Sequence, residues 1–271
     1  MKKIDISELS PCQKTLFLPV WARATESKKI DPIIFDECAL EIIDKVNFDF
    51  SVLTKNLQPI NQLSWIARNK RFDLIIKEFI KKNPNSTIVN IGCGLDTTYE
   101  RIGEKHIRWY DLDLPEVINL RREFLFESEV RKFISSSFME TSWFDNIPYK
   151  ENVLFIATGV FEYFNEFEIR KFVKSVASTF KNSEMFFDVT SPKGVQIANS
   201  VIKQSGFSHE SFFKWGLTDK TVISSWDPGI KIINTYYTFR IKGLNISFRD
   251  RILGMLSDMA GVMYMIHLKI A

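Results

Sequence analysis

Apolar residues recur at helical spacing through the first third of the chain, as in Phe72, Ile75, Ile76, Phe79 and Ile80, which share one face of a 3.6-residue period. From Glu8 to about Pro84 the pattern contains no convincing strand, so it predicts a helical cap over residues 1–84. Asn83-Pro84-Asn85 closes the last helix of that cap, because proline disfavours helical geometry at the preceding residue and donates nothing to the helix ladder. From Thr87 onward the pattern changes to short apolar runs separated by amphipathic stretches. Strands are expected at 87–91, 106–111, 131–135, 152–157, 184–190, 230–241 and 263–270, with helices near 115–128, 165–181, 191–205 and 248–260. Alternation of this kind specifies an α/β core over 85–271, a mainly parallel sheet with helices on both faces. The last two strands alternate polar and apolar residues, which suits half-exposed, antiparallel pairing at the end of the sheet. Residues 205–228 carry turn formers and aromatics without a clear period, and read either as a lid over a site or as a packed connection. No internal repeat or low-complexity segment interrupts the pattern, so the 271 residues are expected to form one domain.

Composition narrows the function classes. With 45% hydrophobic and 25% charged residues the chain is globular, and a net charge of +3 is too small for an electrostatic nucleic-acid footprint. The amino terminus lacks an apolar core of signal-peptide length, and no apolar run approaches the roughly 20 residues of a membrane helix. The expectation is a soluble, cytoplasmic protein with neither a nucleic-acid nor a membrane partner. Cys12, Cys38 and Cys93 are odd in number and widely spaced, which argues for reduced thiols rather than a disulfide framework or a zinc site. The 24 phenylalanines imply a large apolar core.

Candidate chemistry begins at residues 88–99, I-V-N-I-G-C-G-L-D-T-T-Y, where an apolar run breaks into Gly92 and Gly94. Two glycines after a strand mark a sharp turn that a ligand can approach closely. A dinucleotide site needs G-x-G-x-x-G, and the third position is Thr97 here. S-adenosylmethionine has no pyrophosphate to cradle, so a turn with two glycines suffices for it, and the missing third glycine favours this methyl donor. The next strand ends H-I-R-W-Y-D-L-D, placing carboxylates 17 and 19 residues beyond Gly94, at Asp111 and Asp113. An acidic residue at that place accepts hydrogen bonds from the ribose hydroxyls of an adenosine cofactor. Either aspartate can take the role while the other stays solvated, and Asp113-Leu114-Pro115 also has the form of a helix cap followed by proline.

Five segments in order carry a family resemblance: W-A-R-A-T-E-S at 21–27, A-R-N-K-R-F-D at 67–73, V-N-I-G-C-G-L-D-T at 89–97, Y-D-L-D-L-P-E-V-I at 110–118 and G-V-F-E-Y-F at 159–164. Together they resemble the leucine carboxyl methyltransferase family, and within it the bacterial branch related to O-methyltransferases of polyketide biosynthesis. The resemblance runs from about residue 17 to the carboxyl terminus. It implies a class I methyltransferase (Rossmann-like) fold, with a seven-stranded, mainly parallel sheet, an antiparallel terminal strand and a helical cap. It also implies S-adenosylmethionine as donor, S-adenosylhomocysteine as product, and an oxygen nucleophile as acceptor.

By position, Arg68 matches the family arginine that pairs with the donor's carboxylate, and Arg23 sits in a motif that helps at the same end. A guanidinium suits that task because it binds a carboxylate through two parallel charge-assisted hydrogen bonds. Gly92 and Gly94 match the close backbone approach, and Asp113 matches the ribose contact. Phe138 and Met139 occupy the region expected to flank adenine. One position departs from the family pattern: Thr158 stands where a glutamate usually precedes the glycine. Glu162, four residues later, is either a displaced substitute or an exposed charge.

Catalytic residues are not assigned from sequence, and no metal is expected. A carboxylate acceptor is already ionised at neutral pH, whereas a phenol, with a pKa of about 10, benefits from a base. Candidates for that base are His209, Glu162 and Tyr163. The expected function is O-methylation of a small molecule bearing a hydroxyl or carboxyl group. Two alternatives are methylation of a protein's terminal carboxylate and a non-catalytic donor-binding protein of the same fold. A nicotinamide dehydrogenase ranks behind them because of Thr97.

Overall fold

The computed structural model describes residues 3–7, 9–55, 57–204 and 211–271. The amino-terminal cap comprises β1 (Ile4–Asp5), α1 (Pro11–Thr15), α2 (Phe17–Ser27), α3 (Glu37–Lys45), β2 (Val46–Asn47), α4 (Ser51–Thr54) and α5 (Pro59–Lys82). Helix α5 starts with Pro59 in its first turn, where the missing amide hydrogen has no partner to lose, and ends at Asn83, immediately before Pro84. The cap is helical as its periodicity predicts, with one correction: β1 and β2 pair in parallel, Ile4 with Val46 and Asp5 with Asn47. Two residues per strand are too few to leave a pattern in the sequence.

The core follows as β3 (Thr87–Ile91), α6 (Thr98–Ile102), β4 (Arg108–Asp113), α7 (Pro115–Arg122), β5 (Arg131–Ser135), β6 (Val153–Ala157), α8 (Glu166–Thr179), β7 (Ser183–Val189), α9 (Pro192–Gln204), α10 (Thr221–Ser224), β8 (Ile230–Tyr237), α11 (Phe248–Met259) and β9 (Tyr264–Ile270). The sheet order is β5-β4-β3-β6-β7-β9-β8. Strand β9 inserts between β7 and β8 and runs antiparallel to both, while the other pairings are parallel. Strands β3 and β6 are buried along their whole length, as central strands covered on both faces must be.

One face of the sheet receives α5, whose Phe72, Ile75, Ile76 and Phe79 pack on Ile88, Trp109 and Phe186. The Phe72 and Phe186 rings lie 4.5 Å apart. On the other face Phe172, Val173 and Val176 of α8 meet Phe155 and Phe187. Helix α8 is held at its start by a capping box in which Asn165 and Glu168 each accept the other's backbone amide hydrogen.

Several boundaries move from expectation, among them that of the strand expected at 106–111, which runs Arg108–Asp113. The helix expected at 115–128 ends at Arg122, which frees Phe124 and Leu125 to turn into the apolar cluster beneath the cap. The strand expected at 230–241 ends at Tyr237 and carries an irregularity between Ile232 and Asn234. Of the segment 205–228, residues 205–210, His209 among them, lie outside the described residues. Trp215, Leu217, Ile223 and Trp226 beyond them are buried in the main core, while Ser211 and Phe213 border the cavity described below. Among the described residues no helix is long and apolar enough to cross a membrane, and no cluster of His, Cys, Asp and Glu could hold a metal ion.

From β3 the chain progresses to β4 and β5 on one side, and its neighbour on the other side is β6. The carboxyl ends of β3 and β6 therefore flank a topological switch point, where an open α/β sheet leaves a crevice.

Candidate functional site

A cavity of about 590 Å3 opens at that switch point, between the sheet and the cap. Its floor is the turn after β3 and the turn after β6, with Gly92 at φ +59°, Gly94 at φ +47° and Gly159 at φ +69°. A side chain at position 92 would be strained by this backbone and would place its Cβ 2.5 Å from Val160 Cγ2. Glycine at 92 thus follows from the packing of the two turns against each other.

The second-strand aspartates separate cleanly. Asp111 is fully buried, and its carboxylate accepts hydrogen bonds from Arg121 Nη2 at 2.9 Å, Arg131 Nε at 2.9 Å, Trp109 Nε1 at 2.9 Å and Asn90 Nδ2 at 3.1 Å. It is a structural hub, not a solvated residue. Asp113 is half-buried, and its Oδ2 accepts the Gly94 N–H at 2.7 Å while Oδ1 accepts the Leu114 N–H at 2.8 Å. It does not cap α7, whose cap position is Leu114. Burial raises the Asp113 carboxyl above its ordinary range, and the two backbone N–H groups partly offset that.

A line of buried charges supports the turn from the cap side. Arg23 donates through Nε to Asp36 at 2.7 Å and through Nη2 to Thr97 Oγ1 at 3.2 Å. Arg101 joins Asp36 at 3.0 Å and Asp73 at 3.0 Å. Burial works to raise the Asp96 carboxyl, but Arg101 and Arg23 outweigh it and hold the group at about 2. Arg23 and Asp96 both line the cavity.

At the other side of the floor Arg68 reaches from α5 to Asp188 at the end of β7, Nη1 to Oδ2 at 2.6 Å. Asp188 Oδ1 also accepts the Gly159 N–H at 2.7 Å. Arg68 Nε is buried without a hydrogen-bond partner among the described residues. Glu162 stands beside this pair at 2% exposure, which rules out the exposed-charge reading. Burial pushes its carboxyl well above the usual range, the Asp188 charge adds to that, and Arg68 opposes it.

Because the folded state then holds the Glu162 proton more tightly than the unfolded chain, its stabilising effect weakens as pH rises above about 4.3, the ordinary glutamate value. Glu162→Gln, which mimics the protonated group, is therefore expected to unfold at higher temperature than wild type at neutral pH. The two midpoints should converge in acid, and a constant offset across pH would refute the assignment.

Thus Arg23, Arg68, Gly92, Gly94 and Thr158 line one cavity, and Asp113 braces its glycine turn. Phe138 packs in the core against Phe164 at 4.7 Å and Phe172 at 5.0 Å, with half-buried Met139 beside the same cluster, and neither reaches the cavity lining. Sequence reasoning passed over Asp188, Asp96 and Asn90. The signal for Asp188 was an acid at the end of the apolar run M-F-F-D-V.

The model of one family, leucine carboxyl methyltransferase, matches residues 17–177. The chain belongs to this family. It is accordingly an S-adenosylmethionine-dependent methyltransferase. The tetracenomycin polyketide synthesis O-methyltransferase TcmP of Streptomyces glaucescens is 24% identical over 226 residues, 82% of each chain. An S-adenosyl-L-methionine-dependent methyltransferase of Gibberella zeae, dpfgK, is 23% identical, over 82% of this chain and 81% of its own length.

Solved structures of similar fold include a duf574 family protein from Streptomyces avermitilis, with TM-score 0.60, 11% identity and coverage of 93% and 97%. The plantazolicin methyltransferase BpumL, solved with S-adenosylhomocysteine, has TM-score 0.51, 12% identity and coverage of 95% and 98%. The residues here fit the family's donor. A glycine turn lies open at the switch point, a carboxylate ends the second strand, and a buried guanidinium retains an unpartnered nitrogen.

Proposed function

We propose that the protein methylates an oxygen of a small, partly apolar molecule, with a hydroxyl as the preferred acceptor. The carrying observation is the lining of the cavity above the glycine turn, where Leu18, Leu53, Trp65, Ile202 and Phe239 converge from the cap, α9 and the segment after β8. Apolar walls of this kind bind by excluding water and orient a ligand through a few polar contacts. The cationic side chains in the lining are Arg23 and Arg68, each already paired with a carboxylate, Asp36 and Asp188. With Arg23 held by Asp36 and Arg68 reserved for the donor's own carboxylate, an anionic acceptor would find no further cation in the lining among the described residues, which favours a hydroxyl over a carboxylate and a small molecule over a protein terminus. Free thiols at Cys38 and Cys93 accord with work in the reducing cytoplasm.

When bound, S-adenosylmethionine supplies an activated methyl group on a sulfonium sulfur. The chain's own contribution is to hold the acceptor oxygen in line with that methyl and to keep water out. Arg68 is assigned to the donor carboxylate, while Arg23 supports the glycine turn from the cap side through Asp36 and Thr97. Gly92 and Gly94 permit the close backbone approach, Asp113 accepts from the ribose, and Thr158 lines the same floor.

Calorimetric titration with S-adenosylmethionine and S-adenosylhomocysteine, with NAD as control, tests the donor. Saturable binding of the first two alone is expected, followed by turnover in a screen of phenols and carboxylic acids. Binding of NAD alone would overturn the reading. Turnover with carboxylic acids and none with phenols would reverse the acceptor preference.

Asp113→Ala is expected to weaken S-adenosylhomocysteine by about ten- to a hundredfold, the scale of a hydrogen bond to a charged group. Unchanged affinity in a folded variant would remove Asp113 from the ribose site.

A further inference from the structure

Thr158 lines the cavity where the family resemblance implies a glutamate, so one negative charge is missing from the floor. Glu162 lines the same cavity, and its Oε2 has no hydrogen-bond partner among the described residues. Two backbone bonds fix its place: the Glu162 carbonyl accepts the Lys214 N–H at 2.7 Å and the Trp215 N–H at 3.2 Å. The charged groups facing its side chain are Arg68 from α5 and Asp188 from β7, and Tyr163 of the same turn acts on Arg68. Lys214, from the segment packed against it, contributes its backbone and is itself exposed.

Arg68 and Asp188 balance each other, leaving Glu162 as the surplus group of the cluster. The amino-acid end of the methyl donor carries an anion and a cation on adjacent atoms. Arg68 complements the anion, and a carboxylate beside Arg68 complements the cation.

We propose that Glu162 binds the α-ammonium group of the methyl donor, supplying from the following turn the negative charge that Thr158 does not. The assignment rests on the donor reading above and extends it to a residue that the family pattern does not predict. It makes binding and protonation interdependent. In the free protein Asp188 lies beside Glu162, with Arg68 Nη1 and the Gly159 N–H as its hydrogen-bond donors. Burial, together with the neighbouring Asp188 charge, makes Glu162 hold its proton more tightly than an ordinary glutamate. When an ammonium group takes its place beside Glu162, the carboxyl O–H bond breaks, the proton leaves to solvent, and the ammonium donates to the resulting carboxylate.

The test uses the full chain and two probes. S-adenosylhomocysteine carries the ammonium and the carboxylate, while 5′-methylthioadenosine lacks the whole amino-acid portion. Each is titrated calorimetrically in two buffers of different ionisation heat, between about pH 6 and about pH 9, to count protons. Wild type is expected to release up to one proton per S-adenosylhomocysteine at the acid end and none with methylthioadenosine. Glu162→Gln is expected to abolish that release and weaken S-adenosylhomocysteine by about ten- to a hundredfold, with methylthioadenosine nearly unaffected. Glu162→Asp should retain part of the release.

Equal losses for both probes would make Glu162 a merely structural residue and overturn the proposal. Unchanged proton release in a folded Glu162→Gln would overturn it as well, leaving the donor reading intact. Wild type that binds neither probe would overturn both.

Discussion

Replacing Asp111 by alanine is expected to lower the unfolding free energy by about 3–5 kcal/mol, the scale for breaking a buried ion pair by removing one partner. The carboxylate is fully buried and serves two guanidiniums at once, Arg121 and Arg131, both also buried. Without it these cations face each other with fewer partners. Arg131 retains Glu100, and Arg121 retains the Gly94 carbonyl at 2.8 Å. That last contact ties the hub to the glycine turn, so damage should spread to the site. Urea unfolding of wild type and variant measures the loss. A change below about 1 kcal/mol would mean that solvent reaches the arginines and that the network is not a hub.

Arg68→Ala should produce the second large effect, on donor affinity. Hydrogen bonds to charged groups contribute about 1.5–3 kcal/mol each, so S-adenosylhomocysteine is expected to weaken by about ten- to a hundredfold. Methylthioadenosine, which lacks the carboxylate, should change much less. The same substitution strips Asp188 and Glu162 of their shared cation, so a stability loss should accompany it. Arg68→Lys separates the two effects, because it retains the charge but not the two-pronged geometry. If both probes weaken equally in a folded Arg68→Lys variant, the arginine does not contact the donor's carboxylate.

These two predictions treat the charges around the cavity as parts with different tasks. Asp111, Arg121 and Arg131 hold the turn from behind, out of reach of the cavity lining. Arg68 and Glu162 line its floor with Asp188 paired to Arg68 behind it, and among the described residues Glu162 Oε2 and Arg68 Nε are buried without a hydrogen-bond partner. Buried polar atoms without partners are rare in native proteins, and at the mouth of a switch point a ligand is the economical explanation.

Much of this was legible in the residues themselves. The change from helical spacing to strand-helix alternation at Thr87 announced the α/β core, and the strands lie within a few residues of where the apolar runs placed them. Gly92 and Gly94 announced the turn, and at 92 the positive φ and the close approach of the Val160 side chain both favour glycine. Five ordered motifs carried the family. Such features are written by neighbours in sequence: periodicity, turn chemistry and short spacings need nothing from the rest of the chain.

What required the tertiary structure was the environment of each charge. Asp111 and Asp113 are two residues apart in one strand, yet one lies at 0% exposure among arginines and the other stands half-buried under the glycine turn. Alternation puts Asp111 and Asp113 on the same side of the strand, so their local pattern is the same. The partners Arg121 and Arg131 arrive from other elements. In G-V-F-E-Y-F Glu162 reads equally as a displaced substitute or as an exposed charge, and only its surroundings in the fold, with Arg68 of α5 and Asp188 of β7 facing it, show that it is buried. Arg68 finds Asp188 across 120 residues of sequence. Trp215 and Trp226 turn the segment after residue 210 into core, a role that its irregular pattern did not show. Burial and charge pairing depend on which distant elements the fold brings together, and no local pattern encodes that.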